Sequence, residues 1–131
     1  MLAIRIAVGL YLVVHGFAHL VGFVVPWKIA TLEEEPYKTT LISGTIEVGD
    51  VGIRIGGILW LAVAVAFFAA AVGSFMLQAW WRPLTFYLSI VSLILCILGL
   101  PGAKIGIFAN VVIFTYLIAS EKLGWLPTLD G

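Results

Sequence analysis

Charge is scarce in this chain. Asp, Glu, Lys and Arg together make up 11% of it, and hydrophobic residues 63%. Soluble domains average about 25% charged and about 45–50% apolar. With a mean hydropathy of +1.17, the composition excludes a soluble globular protein. Seven cations balance seven anions, so there is no basic footprint for nucleic acid. Cysteine is nearly absent: Cys96 stands alone. An intramolecular disulfide, a CxxC redox pair and a cysteine-rich metal framework are all excluded. Histidine occurs twice, as His15 and His19, inside one apolar stretch. No internal repeat or low-complexity segment is present.

What is there in abundance is apolar sequence, in runs long enough to span a bilayer, which takes about 20 residues. Four runs qualify: 2–25, 51–77, 83–100 and 105–120. Pro26 ends the first, Pro83 suits the first turn of the third, and Pro101-Gly102 breaks the chain before the fourth. The first run has a signal-like Arg5 but no A-x-A-like cleavage site, and it reads as a retained span. The expected fold is an all-α integral membrane protein: a single domain over 1–131, a four-helix transmembrane bundle with one longer loop, 26–50. That loop carries Glu33-Glu34-Glu35 and then "YKTTLISGTIEVG". The β-prone composition around Gly44 suits a short hairpin; an irregular surface loop is the alternative. Trp80, Trp81 and Arg82 between the second and third spans have the composition of the headgroup level. Four spans put both termini on one side. The acidic loop fits better outside, so both termini are expected in the cytoplasm.

Lipid gives helices no hydrophobic reason to associate, so small residues must permit close packing. Thr85, Ser89, Ser92, Cys96 and Gly99 fall on one face of the third span. They form either a polar groove for a headgroup or a packing seam whose hydroxyls bond back to their own helix, and the seam is favoured. Gly52 and Gly56, followed by Ala62, Ala66 and Ala70, read as packing features of the second span.

Ionisable groups inside spans are costly and therefore candidates for function. Counting inward from the long-loop side at about 1.5 Å per residue puts Arg54 at roughly 5 Å, Cys96 at 6 Å, His19 and Asn110 at 9 Å and His15 at 15 Å. Glu47, Asp50 and Lys104 fall at the rim. This describes a bowl with a polar mouth in one leaflet, which argues against a channel or a complete proton wire. Asp50 and Arg54, four residues apart, can pair along a helix. His15 and His19 share a face with Tyr11. One imidazole can accept from Arg54 or donate to Asp50 or Glu47.

Several readings of the histidines stay open. Two imidazoles on one face plus a carboxylate suit a metal, but HExxH is missing. Bis-histidine haem needs ligands on opposing helices. Metal and haem are therefore disfavoured, and no metal ligands are assigned. A quinone, lipid or small apolar metabolite held by His15, His19, Glu47, Asp50, Arg54 and Asn110 is favoured as a function. Interhelical hydrogen-bond glue is its rival. Ser74, Ser89, Ser92 and Ser120 lack a nucleophile elbow. Cys96, at a depth similar to the histidines, is read as structural rather than as half of a Cys–His pair.

"HGFAHLVGF", "GTIEVGDVGIRIGGILWLAVAVAFFAAAVG" and "WWRPLTFYLSIVSLILCILGLPGAKIGIFANVVIF" resemble a group of small, uncharacterised bacterial four-helix membrane proteins, similar in size and layout to DoxX-like proteins. The resemblance covers most of the chain outside the acidic loop. DoxX-type proteins imply thiosulfate-to-quinone electron transfer and membrane redox homeostasis. No catalytic residue carries over; the polar positions matching the group are His15, His19, Glu47, Asp50, Arg54, Lys104 and Asn110. The expected role is thus a multi-pass inner-membrane protein accessory to a redox system, in contact with lipid and with copies of itself or a larger complex. The alternatives are a structural or assembly subunit without chemistry, and an oxidoreductase acting on a sulfur compound or quinone. In the oxidoreductase, His19 would be the acid/base and Arg54 would stabilise negative charge.

Overall fold

A computed structural model describes residues 2–124 as four helices and a two-stranded hairpin in the order α1 (Leu2–Val24), β1 (Thr40–Leu41), β2 (Ile46–Glu47), α2 (Gly49–Phe75), α3 (Trp81–Leu98) and α4 (Lys104–Leu123). All four helices are long and apolar enough to cross a membrane. This is the expected four-helix transmembrane bundle, with the hairpin in place of an irregular loop.

The ends differ from the expected spans for local reasons. The second helix starts at Gly49, two residues early, because the Glu47 carboxylate accepts the Gly49 N–H at 2.9 Å, satisfying a donor that a helix start leaves orphaned. It stops at Phe75, where Leu77 takes a positive φ of 55° and Gln78 N–H reaches back to the Gly73 carbonyl at 2.9 Å. The third helix starts at Trp81, so Pro83 falls inside the first turn, where no N–H is needed. The fourth continues a turn beyond Ser120 to Leu123, and the left-handed Gly124 (φ 70°) closes it. Lys122 in that last turn opposes the helix dipole's negative end.

α1 packs most extensively on α2. The reason is a ladder of glycines on α1, each facing an aromatic ring of the antiparallel α2: Gly9 opposite Phe75, Gly16 opposite Phe68, Gly22 opposite Trp60. Removing the Cβ lets each ring lie against α1 backbone, the close approach that membrane helices rely on. α2 then meets α3, and α3 meets α4, while α1 and α4 touch sparsely. One link across that thin seam is the Tyr11 hydroxyl donating to the Ala109 carbonyl at 2.9 Å. Leu12, Phe67, Ala70, Trp81, Leu95 and Leu117 belong to the buried core. Trp81 is thereby corrected from headgroup aromatic to core residue: opening α3 turns its ring inward, while Trp80 stays exposed.

The hairpin pairs Thr40 with Glu47 and Leu41 with Ile46. Ile42 and Ser43 between the strands adopt positive φ (47° and 54°). Their amides donate to the Leu98 and Leu100 carbonyls at 2.8 and 2.9 Å. The loop thus satisfies carbonyls that the end of α3 would otherwise leave open. The Glu35 carboxylate lies against Gly102 in the α3–α4 turn.

Glu47 gives this cap a pH dependence. Hydrogen bonds from the Thr39 side chain and the Gly49 amide hold its carboxyl below the usual carboxylate range. The charged form is favoured on folding, so its support is present at neutral pH and is lost as pH falls through the depressed folded-state value. The Gly49 amide resonance is expected to titrate with a midpoint below 4.5, the ordinary Glu value. In Glu47→Gln that titration should vanish; if it persists, another carboxylate caps α2.

Candidate functional site

The expected site residues separate into two clusters. The inner one is His15 and His19 from α1, Ser92 from α3 and Asn110 from α4. It is sealed: His15 is 5% exposed, His19 1%, Ser92 and Asn110 0%. His15 and His19, one helical turn apart, stand edge-on with ring centroids 4.6 Å apart. Rings from α2 wall them in, Phe67 at 4.6 Å from His15 and Trp60 at 5.0 Å from His19.

The hydrogens of His19 and Asn110 are assigned from carbonyls that only accept, and the Ser92 proton follows from them. The His19 Nδ1 atom is 2.9 Å from the His15 carbonyl oxygen, which cannot donate, so Nδ1 carries hydrogen. In the neutral ring Nε2 is then an acceptor. It lies 2.7 Å from Ser92 Oγ and takes the serine proton. The Asn110 Nδ2 group donates one hydrogen to the Gly106 carbonyl at 2.9 Å, which fixes the amide's orientation. Its other hydrogen goes to Ser92 Oγ at 2.8 Å. The last lone pair of Ser92 faces His15 Nε2 at 3.4 Å. Ser92 therefore joins three helices through one oxygen. Asn110 is also a side-chain hydrogen-bond partner of His15, and its buried Oδ1 has no donor in ordinary hydrogen-bond geometry.

The outer cluster lies in the loop-side cap, on exposed side chains. Asp50 accepts a hydrogen bond from the Tyr37 hydroxyl, and that bond pushes the phenol above its ordinary value. The Lys28 ammonium sits 4.6 Å from the Tyr37 ring centre. The Arg54 guanidinium sits over the Trp27 ring at 5.7 Å, and the indole N–H donates to the Arg54 carbonyl at 2.9 Å. Glu47 caps α2. These contacts tie the loop to α2 and correct two expectations. Asp50 and Arg54 turn to separate aromatic partners rather than to each other. The imidazoles bond to Ser92 and backbone, not to Arg54, Asp50 or Glu47. The physical reason is that Tyr37 and Trp27, in the loop, offer these charges partners near water, sparing them the depth of the histidines. Lys104 is exposed in the first turn of α4.

The seam on α3 is likewise mixed. Thr85 bonds back to the Trp81 carbonyl at 2.7 Å, and Ser120 on α4 to Tyr116, as the packing reading expects. Ser92 does not. It lies six residues before the end of α3, about 9 Å in, at the level of His19 and Asn110; depth alone does not tell it from the other hydroxyls of the seam. Buried Cys96 lies 3.8 Å from the Asn110 amide. Among the described residues no three His, Cys, Asp or Glu side chains gather as a metal-holding group. An open apolar groove of about 460 Å³ runs along the outer face of α4, from Val111 to Lys122, away from the imidazoles. No family model, curated protein or solved structure matches this chain.

Proposed function

We propose that this chain is a small accessory or assembly subunit of a bacterial inner-membrane complex, with both termini cytoplasmic and the acidic loop outside. Its intramembrane polar groups fix the bundle. The observation that supports this reading is the closed hydrogen-bond circuit at Ser92: the side chains best suited to chemistry are occupied with one another and walled by Phe67 and Trp60. The broad apolar outer faces of α1, α2 and α4 remain for lipid and partner helices.

A second reading has its own support. Asn110 Oδ1 is a buried acceptor with no donor in ordinary hydrogen-bond geometry, His15 being its nearby imidazole, and a bound hydroxyl or water satisfies such a group. It suits a site for a quinone, lipid or small apolar metabolite, serving the redox partner that the DoxX-like resemblance implies.

One double variant separates the two. His15→Leu/His19→Leu, purified in nanodiscs, is expected to lower yield and thermal stability without changing the extractable small molecules seen by mass spectrometry. A variant that folds as well as the parent but loses a co-purifying quinone or lipid would overturn the subunit reading in favour of the pocket.

A further inference from the structure

The inner cluster contains more than glue. Ser92 Oγ has one proton to give and two lone pairs to accept with. Asn110, anchored on the Gly106 carbonyl, holds one of those lone pairs. Only one lone pair is therefore left for two imidazole Nε2 atoms, at 2.7 and 3.4 Å. One ring must donate to Ser92 while the other accepts from it. The His15 carbonyl keeps a hydrogen on His19 Nδ1, so in the neutral state His19 accepts and His15 donates. The two rings are locked into opposite tautomers.

We propose that His15, Ser92 and His19 form a one-proton store in the bilayer interior, with Ser92 passing the proton between the rings. This goes beyond the subunit role and does not depend on it. A proton enters on His15 Nδ1, the one ring nitrogen held neither by Ser92 nor by a backbone carbonyl. His15 is the more exposed of the pair, and its ring stacks at 6.4 Å on the partly exposed Tyr11. The cation can then move. The His15 Nε2–H bond breaks as Ser92 Oγ takes that proton, and the original Ser92 O–H bond breaks as His19 Nε2 takes the other. The charge ends on His19, His15 is left neutral with hydrogen on Nδ1, and the new Ser92 hydroxyl points at His15 Nε2. The lone-pair count is the same before and after. The 3.4 Å contact is the weak link, a few tenths of an ångström longer than an ordinary N–H···O bond.

A second proton has no place. Both rings would then need to donate to Ser92, and two cations with centroids 4.6 Å apart repel. The groups packed round the pair bring no charge to it. α1 adds the Tyr11 phenol, bonded to the Ala109 carbonyl. α2 adds the Trp60 and Phe67 rings, α3 the Cys96 thiol, which hydrogen-bonds to Ser92, and α4 the Asn110 amide, which also reaches His15. None of these carries charge at neutral pH. His19 Nδ1–H ends on backbone, so the path stops there: it stores a proton without conducting it across the membrane.

The test is nitrogen NMR of ¹⁵N-histidine-labelled protein in lipid nanodiscs. At neutral pH one ring is expected as the Nδ1–H tautomer and the other as Nε2–H. On acidification both rings should move at one common midpoint, with a total uptake of one proton. Two rings of the same tautomer, two separate midpoints, an uptake of two protons, or no uptake while the bundle stays folded would each overturn the proposal. In Ser92→Ala the common midpoint is expected to disappear, with His19 no longer titrating; a common midpoint that survives would overturn Ser92 as the bridge. If that variant does not fold, the tautomers and proton count of the parent decide the matter alone.

Discussion

Gly16→Leu is expected to part α1 from α2 and to destabilise the bundle by about 3 kcal/mol, the upper range for overpacking a close contact. A Cβ at Gly16 would sit 2.7 Å from Phe68 Cε1 and 3.2 Å from the Ala64 carbonyl oxygen. The ring can swing aside, but the carbonyl belongs to helix backbone and cannot move alone. Rotating α1 to make room would also drag His15 and His19 off Ser92. The measurement is thermal or SDS-driven unfolding in detergent. Gly56→Leu is the control, because a Cβ at Gly56 meets nothing within 4 Å. It should fall within about 0.5 kcal/mol of the parent, as surface changes do. Equal losses in the two variants would mean that the glycine–aromatic ladder does not set the approach of these helices.

Ser92→Ala is expected to be the most damaging deletion of a single oxygen. It leaves His19 Nε2 without its donor and one Asn110 N–H without its acceptor, both buried. Unmade buried hydrogen bonds cost about 1–3 kcal/mol each in soluble proteins. Membrane bundles average nearer ~0.6, with a maximum of ~1.7. Two short links lost together give about 1–3 kcal/mol. Thr85→Ala provides the contrast. Its hydroxyl bonds only to a carbonyl of its own helix, so no partner on another helix is stranded, and a loss under about 0.5 kcal/mol follows. Combining Ser92→Ala with His19→Leu should cost less than the sum of the two, because both remove the same bond. An additive pair would break the link between circuit and stability.

The bundle could be read directly from the chain because bilayer thickness constrains span length and composition so tightly. The depth of the polar groups was legible too, since 1.5 Å per residue turns position into level. Azimuth was not. Asp50 and Arg54 share a helix face with the right spacing for each other, yet Tyr37 and Trp27, from the loop, intercept them. Nothing in the order of residues announces where a loop's aromatics will land. Ser92 was hidden for another reason. At equal spacing along α3 it looks like Thr85, and only the neighbouring helices decide which hydroxyl folds back and which reaches across. The Gly9, Gly16 and Gly22 ladder shows its meaning only beside Phe75, Phe68 and Trp60, whose order along α2 runs the opposite way.

The bond from His19 to Ser92 spans 73 residues of chain, which sets a schedule for synthesis. α1 and α2 can pack through their glycines and rings as soon as both are in the bilayer. The serine that satisfies the imidazoles leaves the ribosome roughly 4–15 s after His19 at about 5–20 residues per second, and Asn110 follows. Throughout that interval the nascent chain carries two imidazoles whose Nε2 atoms lack Ser92, and the last carbonyls of α3, which dock the hairpin, do not yet exist. A truncated or stalled product is therefore marked within the membrane by the same groups that lock the finished one.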